Sequence, residues 1–296
     1  MAIAFVFAGQ GSQYSGMGRD LYDNSPAARE IFDISGVADL CFNGTAEELS
    51  QTINTQPAML AMELACTAAL NEIGIKADYA AGFSLGEIAA LTYAGAFSVA
   101  DAFTLIRKRA EFMSGCSDGN GGMAAVLKLD NNKVEELAAK YVVYPVNYNC
   151  PGQITVAGLS DRLDSFCEAV AENGGRAVKL AVSGAFHSPY MHEAAEKLGE
   201  VIPAHTINKL KIPVYSNFTA QPYTDDVCGL LCKQVMSPVR WQQTIENMIA
   251  DGADTFIEVG AGKVLSGLIK RISKDVKIMN ADKFEDIETV KNNVKR

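Results

Sequence analysis

Strand-like and helix-like patterns alternate along most of this chain, and that alternation restricts the fold more than any single residue does. "IAFVFAG" (residues 3–9) reads as a buried strand, "AMLAMELACTAALNEIG" (58–74) as a helix and "ADYAAGFS" (77–84) as a second strand. Two more helical patterns follow, "GEIAALTYAG" (86–95) and "VADAFTLIRKRAEFMSG" (99–115). Strands that return to one sheet through helices run parallel, so the first part of the chain is expected to be α/β with a parallel sheet.

From about residue 124 the rhythm changes. Strand "MAAVLKL", helix "NKVEELAAK", strands "VYPVNYN" and "QITVAG", helix "LDSFCEAVAENG" and strand "RAVKLAVS" give β-α-β-β-α-β, the ferredoxin-like order. Residues 125–190 are therefore expected to form an inserted subdomain, entered through the glycine-rich "SGCSDGNGG". The large domain would then be discontinuous, 1–124 and 191–296, with "IPVYSNF" and "TFIEVG" as later strands. No internal repeat or low-complexity tract interrupts this plan.

Composition narrows the function classes. At 296 residues and 48% hydrophobic the chain can bury a sizeable core. Its apolar start lacks a basic segment, and no uncharged run reaches the roughly 20 apolar residues needed to cross a bilayer. A soluble, cytoplasmic protein is expected, with no membrane contact. The seven cysteines include no C-x-x-C, so reduced thiols and no metal site are expected. A net charge of −9 speaks against nucleic acid as a partner. The loop "FAGQGSQYSGMG" fails both phosphate-binding templates: Tyr14 stands where a third glycine belongs, and no Gly-Lys-Ser/Thr is present.

In "AAGFSLGEIAALTYAG" a serine sits between two glycines at the end of an apolar strand. That is the pattern of a nucleophile elbow, in which Gly82 and Gly86 leave room for a strained turn around Ser84. An ordinary strand-turn-helix would read the same, so a base has to be found. The chain has three histidines. His192 falls in a helical pattern and His205 in a polar loop, and both read as surface residues. His187 ends "AVSGAFH", just before Ser188 and Pro189, which read as an N-cap and first helical residue. The positive end of that helix would keep its imidazole neutral and able to take the serine proton, although a histidine satisfied by loop backbone would fit the same position.

Arg109 falls on the same helical face as Ala102, Leu105, Ile106, Phe112 and Met113. A core-facing arginine is costly unless an anion pairs with it. Either a structural carboxylate or a substrate carboxylate held bidentately would serve. Gln10, at the C-terminal edge of the first strand, can reach the crevice where open α/β sheets bind ligands, or can remain a turn residue in solvent.

Taken in order, "FVFAGQGSQYSGMG", "GFSLGEIAAL", "RKRAEFM", "NYNCPGQITVAG", "GAFHSPYM", "SPVRW" and "EVGAGKVLSGL" resemble the malonyl-CoA:acyl carrier protein transacylase family over nearly the whole chain. The resemblance implies a large α/β-hydrolase-like domain carrying a ferredoxin-like insert. It implies Ser84 as the acylated nucleophile, His187 as its base, Arg109 as the clamp for the malonyl carboxylate, and Gln10 with the Leu85 N–H as the oxyanion hole. Gln234 matches the position whose main-chain carbonyl orients the histidine, and Phe186 the residue associated with malonyl selection. The implied substrates are malonyl-CoA and the phosphopantetheine thiol of acyl carrier protein, with no cofactor and two half-reactions at one site. The implied pathway is fatty-acid synthesis, or polyketide synthesis if the chain resembles a trans-acting relative. Two departures stand out: Phe83 where the family commonly has histidine, and Cys150 where serine is usual.

A serine esterase shares the G-x-S-x-G pattern, but an HGGG-type oxyanion loop is lacking and Arg109 would have little purpose toward a neutral ester. A non-catalytic carrier-binding module would leave Ser84 unacylated. Acyl carrier proteins are typically acidic, so an acidic enzyme needs a local basic surface; Lys263, Lys270, Arg271, Lys274 and Lys277 cluster near the C-terminus as candidates, or as ordinary solvated charge.

Overall fold

The computed structural model describes residues 1–117, 119–182 and 184–294. Among them are nine strands: β1 (Ile3–Phe7), β2 (Tyr79–Gly82), β3 (Gly121–Leu127), β4 (Tyr144–Cys150), β5 (Gln153–Leu159), β6 (Arg176–Lys179), β7 (Val214–Tyr215), β8 (Thr255–Val259) and β9 (Lys277–Ala281).

Five of the strands make a parallel sheet in the order β7-β2-β1-β8-β9. The central β1 and β8 are buried at every residue, as expected of strands covered by helices on both faces. Glu258 is the one charge inside them, and it caps the next helix: its carboxylate accepts from the Leu265 N–H at 2.9 Å and the Ser266 N–H at 2.7 Å. The edge strand β9 escaped the sequence reading because "KIMNA" is short and follows charged residues.

The other four strands form an antiparallel sheet in the order β4-β5-β3-β6, which is the ferredoxin-like arrangement expected for the insert. It has its own small core, including Val126, Ile154, Val156, Leu163 and Phe166. The boundary read at 124/125 falls inside β3. Gly121 and Gly122 read as hinge, yet they pair with Leu159 and Gly158. Residue 118 of the glycine-rich entry segment and residue 183 near the exit lie outside the described residues. The insert is tied back to the large sheet's layer by a bridge at Val239, whose carbonyl accepts from the Tyr148 N–H at 2.9 Å while its own N–H donates to Val146 at 2.8 Å.

The helix expected at 58–74 runs over Thr52–Glu72, with Pro57 inside it. Its start lies upstream of the proline, where the Thr55 hydroxyl donates to backbone carbonyls and the buried face continues through Thr52 and Thr55. Val99–Gly115 is helical as read. Among the described residues, no helix is long and apolar enough to cross a membrane.

Candidate active site

The chemistry-bearing side chains meet at the C-terminal ends of β1 and β2, the position open α/β sheets use for ligands. Ser84 follows β2 in a turn that only glycines permit around it. A Cβ on Gly82 would stand 1.9 Å from the backbone of Gly86, and one on Gly86 would stand 2.4 Å from the Phe7 carbonyl. Ser84 itself takes φ 55°, a left-handed backbone for a non-glycine residue, and His187 takes φ 59°. Such conformations cost about 1–3 kcal/mol each and persist where the surroundings hold them.

His187 stands against the serine. Its Nδ1–H donates to the Gln234 main-chain carbonyl at 2.8 Å, which fixes the tautomer because a carbonyl can only accept. That leaves Nε2 unprotonated and 2.7 Å from Ser84 Oγ, placed to accept the hydroxyl proton. Ser188 caps the following turn as read, its hydroxyl accepting from the Tyr190 N–H, but the turn is the short 3-10 helix Pro189–Met191. The neutral state of His187 therefore has a different cause from the one expected. Burial, followed by the positive charge of Arg109, lowers its pKa to about 4.

Arg109 is buried, as its helical face predicts. Nη1 donates to Gln56 Oε1 at 2.8 Å, and Nη2 donates to Gln234 Oε1 at 2.9 Å and to Ser84 Oγ at 3.0 Å. Among the described residues it forms no ion pair, and its Nε has no partner. Glu87 faces the guanidinium only through its longer-range field. Burial lowers the arginine to about 10, which leaves it charged near neutrality.

Ser84, Leu85, Gln10, Arg109, Phe186 and His187 all line one cavity of about 90 Å³, so every side chain singled out for substrate chemistry reaches the same space. Gln10 is steadied by Thr52, its Nε2 donating to Oγ1 at 3.3 Å. Gln234 stands behind the cavity and touches Ser84, His187 and Arg109. The insert, whose strands run from Gly121 to Lys179, supplies Met123 and Asn147 to the opposite wall, joined by Leu180 and Val182 just after its last strand. Asn147 Oδ1 is buried there with no partner among the described residues.

Several residues of this site were not read from the sequence. Gln56, Glu87, Asn217 and Tyr223 are buried polar groups within two hydrogen bonds of Ser84, and only Glu87 left a signal, as an acid in an otherwise apolar helical start. His205 is not a plain surface residue. Its Nδ1 lies 2.7 Å from Asp101 Oδ1 in a half-buried pair. His192 is exposed as read. Phe83 packs on Trp241 with ring centroids 5.5 Å apart, so the departure from histidine is met by an apolar contact. Cys150 is buried at the end of β4, outside the cavity lining.

Lys263, Lys270, Arg271, Lys274 and Lys277 are all exposed, but three of them are engaged locally. Arg271 donates to Gln153 Oε1 and the Pro151 carbonyl, Lys274 to the Lys270 carbonyl and Lys277 to the Asn293 carbonyl. Arg271 thus braces the β4–β5 hairpin.

The profile of the acyl transferase domain family matches residues 4–291. The chain belongs to that family. This acyl transferase is 44% identical to the malonyl CoA-acyl carrier protein transacylase of Bacillus subtilis (strain 168), an alignment covering 97% of this chain and 95% of that one. Its structure is similar to the malonyl CoA-acyl carrier protein transacylase of Clostridium perfringens, with a TM-score of 0.95, 39% identity, and 99% and 97% of the two chains covered. It is equally similar, with a TM-score of 0.95 at 33% identity over 99% of this chain and 100% of the other, to a malonyl-transacylase solved in complex with the holo acyl carrier protein of a type II polyketide synthase.

Proposed function

We propose that this acyl transferase moves a malonyl group from malonyl-CoA to the phosphopantetheine thiol of an acyl carrier protein through a malonyl ester on Ser84. The observation that carries this reading is the placement of Ser84 Oγ, 2.7 Å from a neutral imidazole nitrogen and 3.0 Å from a buried guanidinium. The first contact makes a nucleophile. The second puts a cation without a carboxylate partner where an acyl group with a terminal carboxylate would lie.

In the first half-reaction His187 Nε2 takes the proton of Ser84, the Oγ–C bond forms at the thioester carbonyl, and negative charge collects on the carbonyl oxygen. Gln10 and the Leu85 N–H serve as donors to that oxygen. The intermediate collapses by breaking the C–S bond, and the imidazolium returns its proton to the departing coenzyme A sulfur. In the second, His187 takes the proton of the carrier's thiol, the sulfur attacks the ester, and Ser84 leaves with the proton. Arg109 holds the malonyl carboxylate throughout. Side chains and backbone serve every step of this reading, so it calls on no cofactor, and we take the enzyme to act in the cytoplasm, with malonyl-CoA as the thioester donor and the carrier's thiol as the acceptor.

Malonyl-CoA incubation followed by intact-protein mass measurement tests the reading. The wild type is expected to gain one malonyl group and release it to holo carrier protein, while Ser84→Ala gains none and keeps its fold. Rapid hydrolysis without an adduct would point to an esterase, and an adduct persisting on the alanine variant would remove Ser84 from the role. Fatty-acid synthesis is the pathway proposed. The likeness to a transacylase captured with a polyketide carrier favours polyketide supply as a second reading. The carrier proteins that copurify with the enzyme separate the two.

A further inference from the structure

The left-handed backbone at Ser84 is held by side chains from distant parts of the chain. Asn217, just beyond β7, bridges the turn. Its Oδ1 accepts from the Ser84 N–H at 2.7 Å, and its Nδ2 donates to the Gly82 carbonyl at 2.5 Å. Gln234 holds the other side, its Nε2 donating to the Ser84 carbonyl at 2.7 Å.

Both holders are fastened to a single carboxylate. Glu87 Oε2 accepts from the Asn217 main-chain N–H at 3.0 Å and from Gln234 Nε2 at 3.1 Å, while Oε1 accepts from the Tyr223 hydroxyl. Glu87, Asn217 and Gln234 are wholly buried and Tyr223 nearly so. A carboxylate accepts only, so three converging donors fit the ionised form. Burial raises its pKa to about 7, against the pull of those same hydrogen bonds and of Arg109.

We infer that Asn217, the Gln234 side chain and Glu87 are positioning residues that form a truss across the elbow, fixing Ser84 Oγ between His187 and Arg109. The truss also assigns the oxyanion donors. With the Ser84 N–H already committed to Asn217, the developing charge falls to the next N–H, that of Leu85, and to Gln10. None of the three truss residues needs to touch substrate: Asn217 and Glu87 act through the serine, and Gln234 through the serine and Arg109. The inference rests on Ser84 being the nucleophile.

An asparagine offers one acceptor and one donor at fixed spacing, and the turn uses both. Asn217→Ala removes them, and a nucleophile displaced by about 1 Å loses on the order of 10²-fold in rate. Asn217→Asp removes the donor while ionised but regains it on protonation, since a neutral acid offers a carbonyl acceptor and an O–H donor. The charged and titratable groups facing this position are Glu87, Tyr223, Arg109 and His187, and they are the same in wild type and variant. The new carboxyl and Glu87 titrate as a coupled pair, so the ratio of the two rates reports what adding the carboxyl does to that pair.

The experiment is rapid-quench malonylation of Ser84, read by intact mass for wild type, Asn217→Ala and Asn217→Asp between pH 6 and 8. Expected are a kcat for acylation about 10² lower in Asn217→Ala with KM for malonyl-CoA held within about threefold, and an Asn217→Asp rate that climbs toward wild type as pH falls. A merely structural asparagine would change thermal stability and produce no pH-dependent recovery. Wild-type rates in a folded Asn217→Ala, or a flat ratio for Asn217→Asp, would overturn the truss while leaving the nucleophile in place. If the alanine variant does not fold, the aspartate ratio alone decides. Failure of the wild type to form a malonyl adduct on Ser84 would overturn the nucleophile assignment and the truss together.

Discussion

The two walls of the cavity are built on different terms. On the large-sheet side every group proposed to take part in the reaction is held by at least one polar partner: Ser84 through its N–H and carbonyl, His187 through its Nδ1–H, Arg109 through Gln56 and Gln234. On the insert's side Met123, Leu180 and Val182 offer apolar surface, with Asn147 as the one polar group among the described residues. Hydrogen bonds fix a position to a fraction of an ångström, whereas apolar contact sets volume and tolerates change. The first wall is suited to fixing the nucleophile, its base and the cation for the acyl group's carboxylate, and the second to setting the volume left for the acyl group.

The most damaging way to probe that division is at the base. His187→Ala should slow acylation of Ser84 by about 10² to 10⁴-fold, the usual worth of a positioned general base; single-turnover rates near wild type would require another base. Its pKa of about 4 gives a further sign. The imidazole should stay unprotonated from pH 8 down to about 5, so its own titration should lower the acylation rate only as pH approaches 4, well below any change that Glu87 brings near 7. Because the folded value lies below the ordinary 6.5, the unfolded chain binds more protons between those values, and folding stability should be lost as pH drops from 6.5 toward 4. Melting temperatures across that range check it.

Arg109 tests the same wall through specificity. Arg109→Ala should cut malonyl loading by about 10² or more, since a charge-assisted contact to the carboxylate disappears. Acetyl loading should survive or improve, because acetyl gains nothing from the cation. The quantity to measure is the acetyl-to-malonyl ratio on Ser84 in a variant shown to be folded, and an unchanged ratio would sink the clamp. A smaller effect is expected where the pocket is apolar. Phe186→Ser, in the cavity next to the base, should relax the preference for malonyl over methylmalonyl by about 10-fold, the usual worth of one methylene in a hydrophobic pocket. A loss of both substrates in parallel would instead mean that Phe186 supports the histidine.

The contrast also explains what could be read without coordinates. Ser84, Arg109 and the histidine choice were legible because each broke a local pattern: a serine between glycines, a charge on a buried face, one imidazole at a strand end. The βαββαβ insert was legible from element order alone. Asn217, Gln56 and Tyr223 broke nothing, since polar residues beside a strand end or in a helix are ordinary until tertiary packing closes over them. The neutral His187 was anticipated for the wrong reason, because a local helix terminus can be seen in a sequence whereas the burial of its ring, and the arginine that comes to lie beside it, cannot. The ends of elements failed for similar cause. Gly121 and Gly122 became strand only because β5 was there to pair with them.

The way the insert meets its host bears on how the enzyme is assembled. A Cβ on Gly121 would stand 2.9 Å from the Ala185 nitrogen, so the segment leaves and re-enters the large domain at nearly one point. All its strand pairs are antiparallel and local, while β1 must wait for β8, near the far end of the chain, to gain its second neighbour. Local pairing is fast and distant pairing is slow. Once the insert has formed, the long excursion between the helices Val99–Gly115 and His192–Val201 shrinks to a short connection, and the entropy of closing that loop no longer opposes their packing. The insert thus acts as a clasp: its two ends meet, and the chain that carries His187 returns beside the helix that carries Arg109.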